Sequence, residues 1–212
     1  MIIQAALLDF DGTLVTEDLL DILCGLVGKE ELSAKINEEF HNGEIGGVES
    51  LIQRLDLLQA LSLEDVNNKL RENSYLREGT TELLEYFKER GIKTILNSGQ
   101  IIPVLQFYQS LLSVDYIVGT HPEIRDGSIY GISPEHPIER GFKLKGCRAI
   151  LDELGIPKEH VIALGDSPSD RKAFDYSALS IAVAPKGGIE EYADHVIQQD
   201  LREAIPIIKR NL

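Results

Sequence analysis

The chain has 212 residues, 43% of them hydrophobic, and a formal net charge of −14. This fits one medium domain, or a domain with a small insertion, with enough apolar material for a core. The charge argues against an unassisted nucleic-acid or anionic-membrane binder, and no apolar run reaches the roughly 18 residues that a spanning helix needs.

The N-terminal MIIQAALLDF is apolar but has neither a basic lead nor a small-residue cleavage site. Ile2 to Leu8 therefore reads as a first strand, covered on both faces, and not as a signal peptide. From Asp18 to about Leu70 the pattern is helical, with apolar spacing such as Leu51, Leu55 and Leu58. Within it, Ser62 followed by Asp65 is a capping pattern. Thr80 is placed to cap a helix that stops at Gly91. Ile92 to Asn97 is the next strand, followed by a helix with Pro103 in its first turn. Val114 to Gly119 is a strand, and Asp126-Gly127 between two short alternating runs predicts a hairpin. A helix from Lys143 to Leu154 ends at Gly155. His160 to Asp166, Leu179 to Ala184 and a short Tyr192 to Ile197 are further strands, with helices over Ser167–Ser177 and from Leu201 to Asn211. Cys24 and Cys147 stand far apart with no His or Cys at ligand spacing, as expected in a reducing, cytoplasmic setting.

Strands alternating with helices predict an α/β fold, a doubly wound parallel sheet with a Rossmann-like core. The helical stretch after the first strand, roughly 55–60 residues, is too long for a simple crossover. It is read as a small helical cap, residues 16–75, inserted in a core formed by 1–15 and 76–212. In such sheets ligands bind beyond the carboxyl ends of the strands, where Asp9, Ser98 and Asp166 fall.

In LLDFDGTLV, Asp9 and Asp11 end an apolar strand two residues apart and so face the same side. Two such carboxylates repel unless a divalent cation lies between them, and hard oxygen ligands with open positions suit Mg²⁺ and a phosphate. Asp166 adds a third acid. Ordinary loop acids capping helices are the alternative. NSGQ offers the Ser98 hydroxyl and backbone N–H groups at a helix start, either an anion site or a plain cap. Asp170 in GDSPSD reads equally as a cap, with Pro168 at the first helical position, and Lys143 and Lys145 as solvated charges.

Taken in order, DFDGTLV, NSGQ, a lysine opening a helix and GDSPSD resemble the haloacid dehalogenase-like hydrolases over nearly the whole chain. The helical insertion, with YLREG where the chain returns, resembles the phosphoserine phosphatase branch. The resemblance implies a Mg²⁺-dependent phosphomonoester hydrolase. Asp9 is then the nucleophile that forms an aspartyl-phosphate, and Asp11 the general acid/base. Asp9, the Asp11 backbone carbonyl and Asp166 hold the metal, with Asp170 orienting the lysine and the metal's surroundings. Thr13, Ser98 and the Gly99 amide bind phosphate. Lys143, twelve residues before Gly155, matches the family spacing better than Lys145. In the branch, Asp18 would meet an amino group and Arg54 a carboxylate.

Asp11 favours phosphomonoester hydrolysis over dehalogenation, because an alkoxide needs a proton to leave and a halide does not. Phosphoserine is the first candidate substrate; phosphoglycolate or a phosphorylated alcohol is the alternative, and a non-catalytic phosphate- or partner-binding domain the reading from another class. The chain departs from the branch at Gln100, where a second glycine is usual, at Ser169 in place of Asn, and at His41 and Gly47 in place of bulky apolar residues. These last two predict a wider, more polar lid.

Overall fold

The computed structural model of the chain describes residues 2–211. Six parallel strands form one sheet in the order β3-β2-β1-β6-β7-β8. They are β1 Ala5–Leu8, β2 Lys93–Ile101, β3 Tyr116–Thr120, β6 Val161–Gly165, β7 Leu179–Val183 and β8 His195–Ile197. The first strand begins at Ala5, three residues after the expected start. Its side chains alternate between two apolar layers, as a parallel strand covered on both faces must. Ala6 and Leu8 join Leu83, Phe87, Val104 and Ile208 on one face. Ala5 and Leu7 join Cys147, Leu151 and Phe174 on the other.

The covering helices include α5 Thr80–Glu89, α6 Ile102–Leu112, α7 Phe142–Leu154, α8 Arg171–Tyr176 and α9 Ala204–Arg210. Gly79, in the left-handed conformation, and not Thr80, precedes α5. Thr80 is the first helical residue, and its hydroxyl turns to the carbonyls of Arg77 and Leu14 at 2.8 and 2.9 Å. The predicted helix after Asp166 is split, with a 3-10 turn over Pro168–Asp170 before α8.

Between β1 and α5 lie α1 Leu19–Gly25, α2 Glu30–His41, α3 Gly47–Leu57 and α4 Leu63–Glu72. Ser62 caps α4 as expected, its Oγ accepting from Asp65 N–H at 3.0 Å. The outgoing and returning chains meet side by side: Thr16 N–H donates to the Tyr75 carbonyl at 3.0 Å, beside an antiparallel bridge from Val15 to Leu76.

The Asp126-Gly127 hairpin is present as β4 Pro122–Arg125 and β5 Ser128–Ile132, with both turn residues at positive φ. It stands outside the main sheet and against the insertion. Ala60 N–H donates to the Ile129 carbonyl at 2.8 Å, and Ile129 N–H to Leu61 at 2.9 Å. A segment expected with the 76–212 half thus props up the helical half.

β1 lies where the sheet order turns back, with β2 on one side and β6 on the other. Asp9 and Asp166, each the residue after its strand, therefore emerge side by side. Arg77 holds the loop after β1 from below, donating to the carbonyls of Gly12 at 2.6 Å and Thr13 at 2.8 Å, and less closely to Gln198 at 3.5 Å. Hydrogen bonds from a charged donor contribute about 1.5–3 kcal/mol each, and buried acceptors left bare add a further cost. Arg77→Met is expected to lose about 3 kcal/mol or more in urea unfolding of the metal-free protein, with an unchanged m-value. A loss below about 1 kcal/mol would contradict this role.

Candidate active site

Three buried carboxylates, Asp9, Asp166 and Asp170, bring ligand atoms within 4.8 Å of one another at the ends of β1 and β6. Lys143, near the start of α7, reaches into them. Its Nζ donates to Asp9 Oδ1 at 2.9 Å, to Asp170 Oδ1 at 2.9 Å and to Ser169 Oγ at 3.0 Å. The other Asp170 oxygen accepts the backbone N–H groups of Asp166 and Ser167, both at 3.2 Å. This packing requires Gly165, where a Cβ would lie 2.5 Å from that of Asp170. Lys186, after β7, adds a second ammonium 3.1 Å from Asp166 Oδ2. Lys145 points away, 77% exposed and paired with Glu139. Of the two lysines weighed from spacing, Lys143 is the one at the site.

The cluster is charged beyond what its surroundings support. Burial, and then Asp170, push the Asp9 carboxyl well above the ordinary carboxylate value, with Lys143 pulling the other way. Burial and Asp170 likewise push Asp166 up to about 6, against Lys186 and Lys143. Burial disfavours the Lys143 ammonium, but Asp170 and Asp9 outweigh it and hold it above its usual value.

Gly12 turns the loop at φ +79°, and a Cβ there would sit 2.0 Å from Asp166 Oδ2, so only glycine fits. The turn places Thr13 Oγ1 at 3.4 Å from Asp9 Oδ2. Ser98 does not cap a helix, as its position had suggested: β2 runs on to Ile101 and α6 begins at Ile102. Pairing with β3 slips between Asn97 and Ile101, and in this irregular stretch Ser98 Oγ accepts Gln100 N–H at 3.0 Å. Ser98 and Gly99 still line the cavity that holds Asp9, through an irregular strand end and not through a helix terminus.

Asp11 stands apart from the triad. Its Oδ1 accepts Leu19 N–H at 2.8 Å, and Gln100 Nε2 approaches both oxygens at 3.3 and 3.5 Å. Burial, then Asp18, push its carboxyl up to about 8, although Leu19 N–H, Arg54 and Gln100 favour the ionised form.

Asp18 and Arg54 also line this cavity of about 400 Å³. Arg54 is buried, and its Nη2 donates to Asp18 at 2.5 Å and Asp21 at 2.8 Å while Nε donates to Ser33 at 3.0 Å. Asp18 also caps α1 and accepts from Asn37. Beside Gly47 lies the Phe40 ring, which a Cβ there would meet at 3.1 Å. His41 is polar as expected, and its Nδ1 is buried without a partner among the described residues.

An aspartate after β1, a serine near the end of β2, a lysine near the start of α7 and an aspartate after β6 share one cavity. The family described as haloacid dehalogenase-like hydrolase has a model that matches residues 6–175. The chain belongs to the haloacid dehalogenase-like hydrolases. The phosphoserine phosphatase of Methanocaldococcus jannaschii is 30% identical to it over 204 residues, 96% of each chain. That of Haemophilus influenzae is 28% identical over 98% of this chain, which spans 67% of that relative's length. A solved structure described as a phospho-aspartyl intermediate analogue of phosphoserine phosphatase has 28% identity and a TM-score of 0.87, over 98% of this chain and 99% of the other. These relatives make the hydrolase a phosphatase, phosphoserine phosphatase-like in sequence and fold. No described helix is long and apolar enough to cross a membrane.

Phosphatases of this family are metal-dependent, and the donor set of this hydrolase fits a hard divalent cation: three buried carboxylates, all oxygen ligands, with their negative charge only partly met by two lysines. Asp21, Gln100, Lys186 and Arg77 were not singled out as site residues from sequence. Asp21 was detectable as the acid one helical turn after Asp18, and Lys186 as a charge just past an apolar strand.

A carboxyl whose folded value exceeds its unfolded one binds its proton more tightly in the folded state, so folding weakens as pH rises from about 4 to about 8. Asp11→Asn is expected to remove that penalty. In chelator it should melt above the wild type at pH 8, with the gap shrinking toward pH 5, when followed by scanning calorimetry. A variant that melts lower at every pH would contradict the assignment.

Proposed function

We propose that this phosphatase hydrolyses O-phosphoserine, using Mg²⁺ and a covalent phosphoryl group on Asp9. The observation that carries the proposal is one cavity lined by Asp9 with Lys143 and by Arg54 with Asp18. Asp9 attacks phosphorus as the ester oxygen leaves with a proton from Asp11, and the carboxylate becomes an aspartyl-phosphate. Water then attacks that phosphorus and gives a proton to Asp11, restoring Asp9 and releasing phosphate. Lys143, Thr13, Ser98 and the Gly99 amide take the phosphoryl oxygens, and Lys143 acts most where charge develops. Asp9, Asp166 and the Asp11 carbonyl, with Asp170 supporting, would hold Mg²⁺, which would supply charge neutralisation at the phosphoryl group.

At the recognition end, Asp18 faces the substrate ammonium and the guanidinium of Arg54 its carboxylate. Asp21 and Ser33 engage Nη2 and Nε, which leaves the Nη1 edge for the substrate. Residues 16–75 act as a cap, contributing Asp18, Phe40 and Arg54 to a cavity floored by β1 and β6. The two free buried cysteines fit a cytoplasmic enzyme.

Phosphate release from a panel of metabolite phosphates, with Mg²⁺ and in chelator, tests this reading. Phosphoserine is expected among the best substrates, with no turnover in chelator. Asp9→Asn is expected to abolish activity. Arg54→Ala should raise KM for phosphoserine about tenfold or more, since a charge-assisted bond is lost, while an aryl phosphate changes little. An enzyme that cleaves other small phosphates and refuses phosphoserine would remove the amino-acid substrate.

A further inference from the structure

Gln100 is 2% exposed, and both ends of its side-chain amide are engaged. Its Oε1 accepts the Ile101 N–H at 2.9 Å. That bond decides which way the amide faces, because only the carbonyl oxygen can accept. Nε2 is therefore the end turned to Asp11, at 3.3 and 3.5 Å from its two oxygens. The backbone of the same residue donates to Ser98 Oγ at 3.0 Å. The register slip between Asn97 and Ile101 places both contacts at the strand end, as irregular pairing commonly does beside sites.

From this we infer that Gln100 is a positioning residue for Asp11. It holds the carboxyl group, together with Leu19 N–H at 2.8 Å, in the orientation from which its proton reaches the ester oxygen. The two donors come from different parts of the fold, one from α1 after the first strand and one from the end of β2. With one donor removed, the Asp11 side chain keeps its place on the backbone but can rotate about its last bond. The proton is then misaimed for some of the time. Glycine at this position has no side chain with which to do this, so the chain has gained a contact to its acid/base. The inference rests on the reading of Asp11 as the group that protonates the leaving oxygen.

The chemistry supplies a readout that a purely structural residue would not move. In kcat/KM the step probed is transfer to Asp9. An alkyl ester needs its oxygen protonated in that step, whereas p-nitrophenolate leaves without a proton. Gln100→Met and Gln100→Ala are measured in Mg²⁺ with two alkyl phosphates, phosphoserine and glycerol 1-phosphate, and with p-nitrophenyl phosphate. The alkyl kcat/KM values are expected to fall about tenfold or more, and the aryl value by no more than about threefold. The aryl rate in the same sample reports that the variant is folded and that Asp9 still attacks. Equal losses on both ester classes in both variants would make Gln100 a structural residue and overturn the inference, as would no loss on either. Asp11→Asn separates the two levels of the argument. If it fails to distinguish the esters, the acid role of Asp11 falls and this inference with it. If it distinguishes them and the Gln100 variants do not, only the role of Gln100 is lost.

Discussion

The structure turns on the electrostatic conflict among Asp9, Asp166 and Asp170, three carboxylates with ligand atoms within 4.8 Å of one another and little water to screen them. Such a group opposes folding unless cations answer it. Lys143 answers part of it with bonds to Asp9 and Asp170, and Lys186 part at Asp166. The remainder calls for a hard divalent ion. Much of the nearby sequence serves to let the carboxylates approach: Gly12 and Gly165 lack the Cβ that would collide with Asp166 and Asp170, and Arg77 ties down the loop carbonyls beside them.

The same conflict explains how a chain of net charge −14 handles a dianionic ester. Several of its cations line the cavity that holds the three acids. Lys143 and Lys186 pair with the acids, and Arg54 lines the same cavity. Arg54 is the guarded one: Asp18 and Asp21 share its Nη2, so this end is itself acidic on balance. An ammonium beside a carboxylate suits such an end better than a carboxylate alone, which is the physical ground for preferring an amino-acid ester to phosphoglycolate.

The parts of the fold with one-dimensional signals were legible in the sequence. The apolar strand runs, the Asp126-Gly127 turn and the Ser62 cap are local patterns, and each appears at its place in the chain, with strand ends shifted by up to four residues. Asp9, Thr13, Asp166 and Lys143 were placed by their motifs and converge in space. What escaped depends on three-dimensional contact. Ser98 looked like a helix cap because a helix does follow, but the strand continues three residues further, and no local pattern marks that. Gln100 was visible only as a departure, since its contact to Asp11 spans 89 positions. Phe40 from the neighbouring helix packs beside Gly47, a contact that neither residue reveals alone.

The central claim is that the phosphoryl group passes through the Asp9 carboxylate. During turnover of phosphoserine in Mg²⁺, rapid quenching into borohydride reduces an acyl phosphate to an alcohol. Peptide mass spectrometry then locates the resulting homoserine. The account predicts homoserine at position 9, dependent on substrate and absent in chelator. Reduction at another aspartate, or none while phosphate is released at full rate, would contradict it.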